Sequence, residues 1–114
     1  MINDSLLVAH NDSGNEPILY FLSTKGVILH TCFITNAKNV DWEDLTLDDD
    51  GYLYIADVGN NLNVRKDLCI YKINSTDALK KDSTEAMVIH ISYPEQTDFP
   101  PKENNLEFDC EAIY

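Results

Sequence analysis

Asp41-Trp42-Glu43-Asp44-Leu45-Thr46-Leu47-Asp48-Asp49-Asp50-Gly51-Tyr52-Leu53-Tyr54-Ile55-Ala56-Asp57-Val58-Gly59-Asn60-Asn61 reads as two short strands joined by an acidic turn. Residues 41–47 carry Trp42 and Leu45 among carboxylates. Residues 52–58 hold the β-branched and aromatic side chains that pleated, half-buried backbone favours. Gly51 between them accepts the positive φ that a hairpin turn requires. Shorter echoes stand at Leu7-Val8-Ala9-His10-Asn11-Asp12-Ser13-Gly14-Asn15 and at Phe108-Asp109-Cys110-Glu111-Ala112-Ile113-Tyr114. Equivalent strand ends bearing similar polar residues are the mark of a repeat.

Outward from this stretch the pattern continues. Apolar runs at 5–9, 18–22, 27–34, 67–73 and 87–91 are short, rich in β-branched and aromatic residues, and bounded by turn residues. Lys25-Gly26 forms the tip of a tight hairpin between the second and third runs. Residues 75–81 have room for one or two helical turns, and 95–105 are proline-bearing and irregular. The expected class is all-β. Four strands, each pairing with the next and then repeating, predict a β-propeller fragment of about two four-stranded antiparallel blades. Residues 1–35 supply the last three strands of one blade, 40–94 a full blade, and 106–114 the first strand of the next. A pair of blades does not close a ring, so the expected partners are the remaining blades of a longer chain or a second copy, through open blade faces.

Composition narrows the partners further. The 114 residues carry a formal net charge of -12, which repels nucleic acid and anionic membrane surfaces and attracts cations. No stretch approaches transmembrane length, so no membrane insertion is expected, and residues 1–20 carry no signal-peptide pattern. Cys32, Cys69 and Cys110 follow no metal-ligand spacing and no disulfide framework. Phosphate loops, dinucleotide fingerprints and nucleophile elbows are absent from the sequence.

The segments His10-Asn11-Asp12-Ser13-Gly14, Asn39-Val40-Asp41-Trp42-Glu43-Asp44-Leu45, Leu53-Tyr54-Ile55-Ala56-Asp57-Val58-Gly59-Asn60-Asn61 with Arg65, and Phe108-Asp109-Cys110-Glu111-Ala112 occur in order over nearly the whole chain. Together they resemble a group of poorly characterised bacterial β-propeller proteins, mostly exported. More distantly the chain is similar to the six-bladed superfamily of calcium-dependent lactonases and gluconolactonase-like hydrolases. That resemblance implies export to the periplasm or the extracellular space. It also implies a central calcium held by acidic and amide side chains from inner strands.

Glu43 at a strand start, with Glu111 as its equivalent one blade on, is the leading candidate pair for such a metal; the alternative is that each glutamate braces the repeat through backbone N–H groups. Asp57 and Asn60, around Gly59, have the short oxygen-bearing side chains that suit either a cation or an Asx turn, the turn being commoner. Arg65 reaches Asp57 or Asp41 as a charge-assisted pair, a structural role. Trp42 packs between blades. Asp48-Asp49-Asp50-Gly51 is not an EF-hand, because the position for its bidentate glutamate falls on Gly59. Two functions follow: a ligand- or protein-binding module that is not catalytic by itself, or part of a calcium-dependent lactonase or esterase. In the second, Glu43 ligates the metal, and His10 or Asp57 assists proton transfer.

Overall fold

A computed structural model of the chain describes residues 5–60, 62, 64–94, 96, 99, 110, 112 and 113. Alternating side chains sort these residues into two sheets that meet over one core. The first sheet contains β1 (Leu6–His10), β2 (Ile18–Ser23) and β3 (Ile28–Ile34), paired antiparallel in sequence order. The second contains β4 (Trp42–Leu47), β5 (Tyr52–Asp57) and β6 (Cys69–Asn74), also antiparallel and consecutive. The short helix α1 (Ser75–Lys80) follows, then β7 (Ser83–Thr84) and β8 (Met87–His90). The architecture is two four-stranded, mostly antiparallel sheets, like two propeller blades side by side.

Leu19, Phe21, Cys32 and Ile34 of the first sheet share a buried cluster with Trp42, Leu53, Ile55, Tyr71 and Ile73 of the second. Trp42 is 1% exposed and lies within ring-contact distance of both His10 and Tyr71, one from each sheet. Its indole N–H donates to the Lys38 carbonyl at 2.8 Å, so the ring is buried without stranding its donor. Leu45 lies three positions on, which in an ideal strand would place it on the opposite face. A shift of register between Trp42 and Asp44 resets the alternation, and the core gains both residues.

The second sheet's other face is polar and aromatic. There Lys72 sits 4.3 Å from the ring centre of Tyr52 and 5.7 Å from that of Tyr54. The hairpin glycines Gly26 and Gly51 take φ of 83° and 86°, as their turns require. Gly51 follows an Asx turn in which Asp48 Oδ1 accepts from the amides of Asp50 and Tyr52, and Oδ2 accepts from the Tyr54 hydroxyl.

One feature is not legible in the run of apolar residues. After β6 the chain crosses over: α1 is capped by Asn74, whose side chain accepts from the Asp77 amide, and β7 then joins the first sheet parallel to β3. The chain returns through β8 to the second sheet, antiparallel to β6. Asn36 fixes the return by making two 2.8 Å bonds to the backbone of Ala86, one given and one accepted. His30 of β3 holds the helix end, its Nε2–H shared by the carbonyls of Ala78 and Lys81. Most of the last expected strand, at 106–114, lies outside the described residues. Cys110, Ala112 and Ile113 are not in a strand, and the Ile113 amide donates to Asp44 Oδ2 at 3.0 Å.

Candidate functional site

The site grows from β5. Leu53, Ile55 and Asp57 alternate onto the core face, so the last of them brings a carboxylate to the edge of the apolar cluster with 1% exposure. A charge so placed needs compensation. Asp57 Oδ1 accepts from the Asp41 amide at 2.9 Å and from Arg65 Nη1 at 2.9 Å, while Oδ2 faces the Val40 amide at 3.4 Å. Arg65 Nη1 also donates to the Gly59 carbonyl, and its Nε donates to Asp67, each at 2.9 Å. The Arg65 amide donates to Asn60 Oδ1 at 3.0 Å. One guanidinium thus ties the end of β5 to the start of β4 and to the loop between β5 and β6. Burial opposes the charge on Arg65, but its bonds to Asp67 and Asp57 outweigh that and hold its pKa above the ordinary value. The same hydrogen bond holds Asp67 below the usual carboxylate range.

Gly59 closes the brace. Its amide donates to the Asp41 carbonyl at 3.2 Å. A Cβ built there would run into the Asp41 carboxylate and approach Glu43 Oε1 to 2.6 Å. The carboxyl groups of Asp41 and Glu43 therefore lie over the Gly59 backbone, which admits no larger residue without rearrangement.

A second stitch links the two sheets. Buried Asn39 donates through Nδ2 to the carbonyls of Asn11 and Asp12, and its Oδ1 accepts from the Trp42 amide. The Gly14 amide donates to the Asn39 carbonyl at 3.1 Å. His10 stands at this end too, edge-on to Trp42 with ring centres 5.9 Å apart, its Nδ1 bonded to the Asn11 carbonyl. The echo at residues 10–14 and the repeat at 57–60 thus meet at one rim, held by Asn39. Sequence reading did not single out Asn39 or Asp67. Asn39 carried one available signal, its place three residues before Trp42, where an amide side chain can cap the incoming strand.

For calcium, the donor set is specific. Asp57 Oδ1 accepts from the Asp41 amide and the Arg65 guanidinium, and Asn60 Oδ1 accepts from the Arg65 amide. Glu43 sits beside Asp41 over Gly59, and Glu111 lies outside the described residues. Among the described residues, no group of three or more His, Cys, Asp or Glu side chains is placed to hold a metal ion. Cys32 and Cys69 are buried free thiols, pushed above their ordinary pKa chiefly by desolvation. No helix among the described residues is long and apolar enough to cross a membrane.

Comparison with family models, with curated proteins and with solved structures gave no match to this chain. The likeness to propellers therefore rests on the repeated segments and on the two blade-like sheets.

Proposed function

We propose that this chain is a blade-repeat binding module whose working surface is the braced rim where β1 and β5 end and β4 begins. The supporting observation is the combination of a rigid frame with exposed apolar side chains on the loops it holds. Asp57, Asn39 and Arg65 are spent on fixing backbone, whereas Val40, Leu62 and Val64 on those loops are 40%, 68% and 44% exposed. Apolar side chains on a pre-organised rim favour binding because little ordering entropy is lost on contact. The open sheet faces are a second contact surface, suited to further blades or to another copy of the chain, because Leu29 and Met87 are 60% and 63% exposed there.

The test is a pair of proteins, wild type and Leu62→Asp/Val64→Asp, screened by NMR against a library of small molecules and peptides. Ligands that shift rim resonances in the wild type and not in the equally stable double variant support the reading. Ligands that bind both proteins alike overturn it.

A calcium-dependent hydrolase is the second reading, favoured by one observation, the approach of the Asp41 and Glu43 carboxyl groups above Gly59. Like charges brought together favour a cation. Calorimetric titration of the full-length protein with calcium decides it. Binding tighter than about micromolar that Glu43→Gln abolishes supports a metal at Glu43. An absence of heat at millimolar calcium removes it.

A further inference from the structure

We infer that the cavity behind Arg65 is a binding site for a small carboxylate with an apolar body. The cavity has a volume of about 240 Å³ and is bounded by Arg65, Lys66, Leu68, Ile91, Tyr93 and Phe99, among others. That is several times the roughly 30 Å³ one water occupies and just under the range of about 300 Å³ and more typical of small-molecule pockets.

The guanidinium supplies the polar end. Nη1 and Nε of Arg65 are committed to Asp57, Gly59 and Asp67. Nη2 is buried, and among the described residues it has no hydrogen-bond acceptor. A buried charged donor without an acceptor among these residues has room for one supplied by a ligand, and the same side chain lines the cavity. Asp57 and Asp67 outnumber the arginine charge two to one, and Lys66, whose ammonium lies 5.0 Å from the centre of the Phe99 ring, brings the local sum to zero, so a carboxylate here meets two cationic side chains, Arg65 and Lys66. Leu68, which is buried, Ile91 and the Phe99 ring supply the apolar wall. A carboxylate on a compact aromatic or branched aliphatic body meets all of these demands. The site shares Arg65 with the rim but stands on separate observations, so either reading can fail alone.

The probes are benzoate and its neutral isostere benzamide, titrated into the isotope-labelled full chain. Benzoate is expected to shift the Leu68 and Ile91 methyl signals and the Arg65 Nε signal saturably in the millimolar range, with benzamide at least tenfold weaker. Lys66→Gln and Phe99→Ala, both at exposed side chains, should each weaken benzoate several-fold while leaving the melting temperature near that of wild type. Equal binding of the two probes, shifts confined to other parts of the chain, or no saturable shift with benzoate would overturn the proposal.

Discussion

Gly59 and Arg65 carry the most consequence for single side chains. Placing a methyl group on Gly59 forces the Asp41 and Glu43 carboxyl groups aside, so Gly59→Ala should cost about 1–3 kcal/mol in denaturant unfolding. In an Asp41→Ala background part of that cost should disappear, since the nearer obstructing group is gone and only Glu43 remains in the way; a double-mutant cycle measures the coupling. Arg65→Met leaves the buried Asp57 carboxylate without its cation and should cost about 3–5 kcal/mol, part of which returns when Asp57→Asn is added. Acid should act through Asp48 and Asp67. Asp48 is held low first by the Tyr52 amide, and Asp67 first by Arg65. A depressed folded-state pKa gives stability that is complete above the unfolded value near 3.9 and is lost as pH falls through the folded value. Melting temperature should therefore fall below about pH 4, and less steeply in Asp48→Asn, whose amide oxygen still accepts from the turn.

Among the elements, the crossover through α1 and β7 was the hardest to foresee. The sequence of 75–81 left room for one or two helical turns; the structure adds Asn74 as the capping residue and Asp77 in the first turn. That Ser83 and Thr84 extend the first sheet depends on β3 presenting an open edge at the right distance, and pairwise proximity of that kind leaves no periodic trace. Asn36 is the residue that secures it. Asn36→Ala removes both bonds to Ala86 and should cost about 1–3 kcal/mol. Hydrogen exchange should show the effect locally, with faster exchange at the β7 and β8 amides and little change in β1 and β2. The candidate site was partly legible for the same reason: Asp57, Gly59, Asn60 and Arg65 are close in sequence, so their association could be anticipated. Their pairing with Asp41 follows from the β4–β5 register, in which Trp42 stands opposite Asp57, whereas the link through Asn39 to residues 11 and 12 depends on two sheets meeting.

At the scale of the molecule the two sheets hide one face each against the other and leave the outer faces open. Val27, Ile28 and Leu29 at the start of β3 in the first sheet, and Met87 and Ile89 of β8 in the second, are between 39% and 63% exposed. Exposed apolar side chains grouped on sheet faces favour association. Sedimentation of this 114-residue chain should show mass rising with concentration, and Leu29→Lys/Met87→Lys should suppress that rise without lowering the melting temperature. A strictly monomeric wild type at high concentration would contradict the reading of these faces as contact surfaces.

The sequence by itself determined β1 to β6 and β8, the hairpin glycines and the burial of Trp42, because these follow from alternation, turn conformation and side-chain size within a few neighbours. Tertiary structure decided the partners of Asp57, the buried acid at the end of β5. A carboxylate has the same sequence signature whether it holds a cation, a guanidinium or a backbone amide, and only the arrival of Arg65, Asp41 and Gly59 around Asp57 selected among them.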